Sequence, residues 1–380
     1  MLALEDGTVF RGRAFGARGE TFGEAVFNTA MSGYQEVLTD PSYARQIVAM
    51  TSPQQGNYGT NDADAESASV RVAGFAVREV ARRASNWRSE RSLGEVLEAA
   101  GVPGIEGIDT RALTLRLRDA GAMRAAISTE DLDPGSLVAR VRASDGMEGA
   151  DLAASVSCDA PWEAATLVGP ASSDRGRVHR VAAWDFGMKR DILRRLAAVG
   201  CEATVFPATT RPDEVVGYDG IFLSNGPGDP AVTRYGIEAA RAFLGSVPVF
   251  GICLGHQLLG LALGGGTRKM KFGHRGANQP VIDRDSGRVE ITSHNHGFAV
   301  REVARRASTW RSERCLGEVL ETAGVPGIEG IDTRALTLRL RDSGAMRAAR
   351  SAPSIPSDAR TRATRDPGSR SSVEIAARIA

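Results

Sequence analysis

The sequence has very little net charge and no long apolar run. Its 47 basic and 46 acidic side chains leave a formal net charge of +1 over 380 residues, which argues against a nucleic acid or a membrane surface as partner. No run of about 18 apolar residues occurs, and only three apolar residues separate Met1 from the polar sequence EDGTVFRG, so we predict neither a membrane span nor a signal peptide. The length allows two or three domains.

Cysteine and histidine are both scarce. The four cysteines show no CxxC or other paired metal spacing, which predicts reduced thiols in a cytoplasmic protein and no metal site. All five histidines lie between positions 179 and 296, so the first 178 residues contain none that could act as a general base. The cysteines are Cys158, Cys201, Cys253 and Cys315, and the histidines are His179, His256, His274, His294 and His296.

The most informative stretch that is present is residues 248–266, PVFGICLGHQLLGLALGGG. Apolar, partly β-branched residues precede Gly-Ile-Cys-Leu-Gly, and a helix-forming run follows, which predicts a strand, a sharp turn and a helix. Glycines two positions on either side of Cys253 lack a Cβ, so the turn can close tightly and a substrate can approach. We expect Cys253 to stand exposed at the tip of this nucleophile elbow.

Cys253 is therefore a candidate nucleophile. At the start of a helix, free backbone N–H groups and the positive end of the helix dipole favour thiolate over thiol. The N–H of Leu254 could also hold a developing oxyanion. The alternative is a buried cysteine at the end of a core strand, which is the commoner situation for an isolated cysteine. The flanking glycines and the helix start favour the nucleophile.

Residues 1–150 form a first unit of short strands and helices, punctuated by glycine. Strands are predicted at 8–10, 25–28 and 46–50, and helices at 93–100 and 110–119. The segment that follows, 151–178, is rich in small and polar residues around Pro161 and Pro170, and we predict a linker there.

A second unit begins at residue 179, where buried strands alternate with helices. Strands are predicted at 181–185, 203–206, 221–224 and 247–251, with a helix at 189–199. This alternation implies a parallel sheet with a ligand crevice at the carboxyl ends of its strands. NGPGDP, at residues 225–230, falls at such an end; alone it is typical of an ordinary turn. In this context its Gly226 and Gly228 can present backbone groups to a small ligand.

GICLGHQ together with LSNGPGDP resembles the class I glutamine amidotransferases, which hydrolyse glutamine with a Cys-His-Glu triad to release ammonia. LEDGTVFRGRAFG, GEAVFNTAMSGYQEVLTDPSYARQIVAMTSPQQGNYGTND and IDTRALTLRLRDAGAM resemble the N-terminal domain of the small subunits of carbamoyl phosphate synthase. The likeness spans nearly all of residues 1–298. It implies an α/β protein: an N-terminal domain of mixed α/β type, followed by an amidotransferase domain with a mainly parallel sheet.

The resemblance also implies functional residues and partners. Cys253 would be catalytic, and the residues that would bind glutamine are Ser42, Gly226, Gly228, Leu254, Gln257, Asn295, Gly297 and Phe298. No cofactor is expected on this chain, because ATP, Mg and bicarbonate would be used by a large subunit. That large subunit is the expected partner, docked in part through the N-terminal domain, and glutamine is the expected substrate. The ammonia would serve carbamoyl phosphate synthesis for pyrimidine and arginine biosynthesis.

After Phe298 the sequence departs from this pattern. Residues 297–349 repeat residues 74–126 with 49 of 53 positions identical. A single near-copy inside another domain is not a stacked repeat architecture, and we interpret it as a recent recombination or assembly event. The predicted divisions are 1–150, the linker 151–178, a truncated amidotransferase domain 179–298, the duplicated copy 299–349 of residues 76–126, and a disordered tail 350–380.

The departure has a chemical consequence. In the family that this chain resembles, a His-Pro-Glu motif supplies the triad's base and its orienting carboxylate, and these 380 residues contain no such motif. His294 and His296 flank Asn295 in a predicted glutamine-site loop and are the nearest substitutes. However, a base must lie within about 3 Å of the nucleophile or its proton, which such a loop rarely achieves by accident. His256 is expected to pack against the sheet, and His274 is expected in a polar loop.

Three hypotheses remain open from the sequence. The first is a glutamine-hydrolysing subunit with impaired activity, because the triad histidine and glutamate are absent. The second is a catalytically dead binding module that docks on the large subunit while synthesis uses free ammonia. The third is a chain that does not fold stably, because a truncated domain would leave apolar sheet surface uncovered.

Overall fold

The computed structural model describes residues 1–172, 177–283 and 287–301. The predictions made for residues 302–380, which include almost all of the duplicated copy and the whole predicted tail, lie outside the described residues. The strands are β1 (Leu2–Leu4), β2 (Val9–Phe10), β3 (Arg13–Gly16), β4 (Glu20–Asn28), β5 (Gln46–Met50), β6 (Gln54–Gln55), β7 (Gly74–Ala76), β8 (Glu79–Val80), β9 (Pro103–Glu106), β10 (Met123–Ser128), β11 (Trp162–Glu163), β12 (His179–Asp185), β13 (Cys201–Pro207), β14 (Gly220–Leu223), β15 (Val249–Gly251), β16 (Gly266–Ile282) and β17 (Val289–Arg301). The helices are α1 (Tyr34–Thr39), α2 (Leu93–Ala99), α3 (Thr110–Ala120), α4 (Pro134–Ala143), α5 (Ala153–Val156), α6 (Ala165–Val168), α7 (Arg190–Ala198), α8 (Arg234–Phe243) and α9 (Leu254–Ala262).

The first domain is built on an eight-stranded mixed sheet, in the order β2-β1-β10-β4-β5-β7-β9-β3. The central strands β4, β5, β7 and β9 are parallel, and the outer strands join them in antiparallel pairs. Successive residues of a strand face opposite sides, so β5 places Ile47 under α3 and Val48 under α1 and α2. Helix α2 begins with a capping box between Ser92 and Glu95, which satisfies two backbone donors at its first turn.

The second domain is an α/β layer structure. Its five-stranded sheet has the order β11-β13-β12-β14-β15, with β11 antiparallel at the edge and the other four strands parallel. Helices α8 and α9 cover one face, where the fully buried Trp184 lies, and α7 covers the other face. The carboxyl ends of β12, β14 and β15 therefore meet at one edge. The mixed first domain and the mainly parallel second sheet confirm the predicted fold class.

Most predicted elements are present with boundaries shifted by one or two residues, but the connector differs. Residues 151–178, predicted as a linker, include the short helices α5 and α6 and the strand β11. Strand β11 pairs with β13, Trp162 opposite Val205, so part of this segment belongs to the second sheet. These elements are too short to show a hydrophobic period in the sequence, so the proline and small polar residues alone led to the prediction of a linker.

A long antiparallel hairpin, β16 with β17, follows the second sheet and was not predicted. It lies against the first domain: the rings of Phe272 and Phe27 stack with centroids 5.7 Å apart, and the Ala122 N–H donates to the Lys271 carbonyl at 2.7 Å. Asn295, Gly297 and Phe298, expected in a loop, lie in β17 instead. The hairpin thus brings residues near position 295 to the boundary between the two domains.

Candidate active site

Cys253 occupies a strained turn between β15 and α9. Its φ of 52° and ψ of −105° are unusual for a residue with a side chain. A Cβ on Gly251 would lie 2.4 Å from the Gly255 carbonyl carbon, and one on Gly255 would lie 2.1 Å from the Leu223 oxygen. Both positions therefore require glycine, and the predicted strand, tight turn and helix are confirmed.

The thiol of Cys253 is covered, which corrects the prediction of an exposed tip. The side chain is only partly exposed, and its Sγ donates to the backbone oxygen of Asn295 at 3.3 Å. Strand β17 is the element that closes over the elbow. The sequence pattern of the elbow could not indicate this cover, because β17 lies about 40 residues further along the chain.

The environment of the thiol also overturns the expectation of a thiolate. Burial, and after it the carboxylate of Asp40, raises the pKa of Cys253 to about 11, although the Leu254 N–H, Lys189 and Arg275 act to lower it. At pH 7 about one molecule in 10⁴ would carry the thiolate. The helix start does act in the predicted direction, but desolvation outweighs it.

A half-buried lysine and two buried carboxylates form an ionic group that connects the two domains beside the thiol. Lys189 Nζ lies 4.0 Å from the carboxylate of Asp40 and 3.8 Å from that of Glu66. Burial alone would lower the pKa of Lys189, but the surrounding anionic groups, with Asp40 and Glu66 foremost, together raise the pKa by more, so the amine stays charged. Asp40 also accepts from the Asn295 side-chain amide at 3.0 Å. Asp40 thereby ties the first domain to β17, the strand that contacts the thiol.

The segment DPSY, at residues 40–43, and the NGPGDP motif meet at the same boundary. Asn225 donates its side-chain amide to Ser42 Oγ at 2.9 Å and to the Gly187 carbonyl at 2.8 Å. Ser42 is buried, and its backbone N–H donates to Asp40 at 2.8 Å. Residues far apart in sequence therefore form one polar network at the boundary between the two domains.

The two glycines of NGPGDP have different surroundings. A Cβ on Gly226 would lie 2.1 Å from the Phe186 oxygen and 2.9 Å from Leu254 Cδ2, so Gly226 adjoins the elbow. Gly228 has φ 93°, and a Cβ there would lie 2.8 Å from the Ala150 oxygen. The backbone of Gly228 thus packs against the segment that follows the first domain.

The remaining predicted residues help to hold β17 in place. The buried amide of Gln257, on α9, donates to the Phe298 carbonyl at 2.8 Å, and Phe298 is itself buried. Gly297 permits the approach of Arg275, whose guanidinium would lie 3.2 Å from a Cβ at that position. Leu254 is buried directly after Cys253, and a hydrogen bond from its N–H acts to lower the pKa of that thiol.

The histidines nearest to Cys253 in the hairpin are turned to the other face of β17. The Asn295 side chain points to Asp40, so the adjacent His294 and His296 side chains point to the opposite side. There they meet His274, which lies in β16 and not in a polar loop. Burial lowers the pKa of His296 to about 4. His256 was predicted to pack against the sheet, but it is exposed on α9.

Comparison with known proteins agrees with this arrangement. The family model described as "Carbamoyl-phosphate synthase small chain, CPSase domain" matches residues 2–127, and that described as "Glutamine amidotransferase class-I" matches residues 182–322. The carbamoyl phosphate synthase small chain of Syntrophotalea carbinolica is 53% identical over 309 residues, covering 79% of this chain and 82% of that protein. The chain belongs to the carbamoyl phosphate synthase small chain family.

Two other relatives show the same extent of similarity. The carbamoyl phosphate synthase small chain of Halomonas eurihalina is 54% identical over 317 residues, covering 80% of this chain and 83% of that protein. That of Rhodopirellula baltica is 52% identical over 314 residues, with coverages of 79% and 80%. Membership in the carbamoyl phosphate synthase small chain family makes this chain, by descent, a glutamine amidotransferase subunit. Within the described residues, no helix is long and apolar enough to cross a membrane.

Several polar residues around Cys253 were not identified from the sequence. Asp40 and Asn225 lie inside quoted motifs, DPSY and NGPGDP, so their position beside Ser42 and Gly226 was the available signal. Lys189, Glu66 and Arg275 carried no such signal. A single charged residue in a sequence is usually on a solvated surface, and only packing shows that these three lie at a buried boundary.

We expect Asp40→Asn to make the Cys253 thiol more reactive. Removing the carboxylate removes one cause of the raised pKa, so a larger fraction is thiolate and alkylation by iodoacetamide at pH 8 should be about tenfold faster. Mass spectrometry of the Cys253 peptide measures this rate. Asp62→Asn, at an exposed aspartate paired with Arg91, is the matched control and should leave the rate unchanged. An equal or slower rate in Asp40→Asn would show that Asp40 does not keep the thiol protonated.

Proposed function

We propose that this chain is the glutamine-hydrolysing subunit that supplies ammonia to a large subunit for carbamoyl phosphate synthesis. The observation that carries this proposal is Cys253 in a glycine-flanked elbow, with the Leu254 N–H facing its sulfur. The sulfur attacks the carboxamide carbon of glutamine, and the Leu254 N–H stabilises the oxyanion. The thiol proton leaves with ammonia, and water then hydrolyses the thioester to glutamate and restores the thiol.

The proposal extends to the partner and the pathway. The large subunit would use the ammonia with bicarbonate and ATP, so this chain itself needs no cofactor. The product would enter pyrimidine and arginine biosynthesis. The cysteines Cys158, Cys201 and Cys253 are free thiols among the described residues, which supports placing the protein in the reducing environment of the cytoplasm.

We further propose that hydrolysis by this chain is impaired. The 380 residues contain no His-Pro-Glu motif, and His294 and His296 face away from the Asn295 side that meets Asp40. A thiol with a pKa of about 11 needs a base to remove its proton. Loss of a positioned acid–base group lowers turnover by about 10²- to 10⁴-fold.

The second candidate function is a binding module without glutaminase activity. The observation that favours it is the complete first domain, whose eight-stranded sheet has a buried core on both faces. Such a domain could dock on the large subunit regardless of the chemistry at Cys253. Synthesis would then use free ammonia.

Glutamate release and carbamoyl phosphate synthesis distinguish these functions. The chain is purified with a carbamoyl phosphate synthase large subunit, and synthesis is measured with glutamine or with ammonium as the nitrogen source. We expect slow glutamate release that Cys253→Ala abolishes, and synthesis much faster with ammonium than with glutamine. Glutamate release at a rate typical of the family would refute the impairment. Co-purification without any Cys253-dependent release would establish the binding module.

A further inference from the structure

Three histidines converge on the hairpin outside the proposed active site. His274 lies on β16 directly opposite His296 on β17, and His294 is two residues earlier on the same face. The ring centroids are 5.1 Å apart for His274 and His296, 5.3 Å for His294 and His296, and 5.7 Å for His274 and His294. All three side chains are partly buried, so the cluster is reachable from solvent.

The ring nitrogens are closer than the ring centres. His296 Nε2 lies 3.2 Å from His274 Nδ1 and 3.4 Å from His294 Nδ1, and the three potential ligand atoms all lie within 4.8 Å of one another. A tetrahedral metal with metal–nitrogen bonds of 2.0–2.1 Å holds its ligand nitrogens about 3.3 Å apart. Two of the three spacings already match, and the third, between His274 and His294, lies within 4.8 Å, so metal binding requires this pair to approach by at most about 1.5 Å.

The orientation of His296 is fixed by a second contact. Its Nδ1 lies 2.8 Å from the Phe298 carbonyl oxygen, which can only accept, so Nδ1 carries the proton. Nε2 then has its lone pair directed at the other two rings. A backbone carbonyl that holds the second nitrogen of a histidine is the arrangement that commonly orients a metal ligand.

We propose that His274, His294 and His296 form a binding site for a divalent transition metal ion of the zinc class. Neutral imidazole ligands suit Zn²⁺, Co²⁺, Ni²⁺ and Cu²⁺, whereas Mg²⁺ and Ca²⁺ prefer oxygen ligands. Three protein ligands leave one coordination position for water. The adjacent Arg275 is buried and donates to the Phe272 carbonyl at 2.6 Å, and its positive charge opposes a cation at this site, so the three imidazoles must supply enough affinity to overcome it.

A metal ion at this site would stabilise β17, the strand that covers the Cys253 thiol. Asn295 lies between His294 and His296, and its backbone oxygen accepts from Cys253 Sγ. An ion bound to both neighbours would hold this part of β17 in place. The sequence predicted no metal site because His274 lies 20 positions before His294 and 22 positions before His296. Only the register of the hairpin brings His274 to the other two.

Cobalt titration of the full chain tests this proposal, because tetrahedral Co²⁺ absorbs visible light. We expect one Co²⁺ per chain, with visible bands but no thiolate-to-cobalt band in the near ultraviolet, and displacement by Zn²⁺. His294→Gln should weaken binding by about tenfold or more, and His274→Gln should act likewise. His179→Gln, at a histidine on β12 outside the cluster, is the matched control and should bind as the parent does.

Three outcomes would overturn the proposal. They are the absence of a visible cobalt spectrum, a spectrum dominated by thiolate bands, and binding unaffected by either cluster variant. Thermal melts of each variant without metal show whether it is folded. If both cluster variants are unfolded, protection of His294 and His296 from diethyl pyrocarbonate by Zn²⁺ in the parent chain decides: protection supports the site, and unchanged modification refutes it.

Discussion

Replacing residues 299–380 with the corresponding segment of a family member that carries a His-Pro-Glu motif should raise glutamate release by about 10²- to 10⁴-fold. The expectation follows from the proposed active site. Cys253 is already held in a tight elbow with the Leu254 N–H at its sulfur, but its pKa of about 11 leaves it protonated at neutral pH. A histidine within reach would remove that proton during attack and return it to the leaving ammonia.

The effect of the replacement is measured as the steady-state rate of glutamate release from glutamine, with two matched controls. The same chimera with its motif histidine changed to asparagine should return to the low rate, and the chimera with Cys253→Ala should show no release. If the first control retained the high rate, the gain would come from restored folding and not from a restored base. No gain in a folded chimera would contradict the proposed role of the missing motif.

Gly255→Ala should destabilise the second domain severely. A Cβ at this position would lie 2.1 Å from the backbone oxygen of Leu223 in β14. Neither group can move without separating α9 from the sheet, because the Gly255 N–H also donates to the Ser224 carbonyl at 2.9 Å. We expect the free energy of unfolding to fall by about 3 kcal/mol or more, measured by urea denaturation with circular dichroism.

Gly220→Ala is the control for this substitution. Gly220 begins β14 in the same sheet, its φ is not positive, and the nearest atom to an added Cβ is the Pro248 oxygen at 3.5 Å, an ordinary contact. Because alanine also reduces the freedom of the unfolded chain, we expect a change within about 0.5 kcal/mol. Equal stability of Gly255→Ala and Gly220→Ala would show that the elbow does not need its second glycine.

The elements of this protein were largely predictable from local pattern. Strand β5 was predicted with its observed bounds, and β12 to β15 were predicted within two residues, because each is a short apolar run. The requirement for glycine at 251 and 255 was likewise readable, since a tight turn around Cys253 excludes a Cβ. These features depend only on neighbours along the chain.

The hairpin β16–β17 shows where local pattern fails. Residues 293–298, SHNHGF, were expected to form a loop because polar residues and glycine are typical of loops. They form a strand because β16 offers a partner and because Gln257 and Asp40 supply contacts from other elements. The sequence GFAV occurs twice and lies in a strand both times. Its first three residues at 74–76 form β7, and all four residues at 297–300 lie within β17.

The sequence by itself determined the family, the two α/β units and the glycine-flanked turn that holds the candidate nucleophile Cys253, because these are written in contiguous motifs. Only the tertiary structure decided the surroundings of Cys253: burial under a covering strand and the carboxylate of Asp40 raise the pKa of its thiol. It also decided the ionic link through Lys189 and the meeting of three histidines. Desolvation and charge proximity depend on residues that are distant in the chain, and no local pattern records those distances.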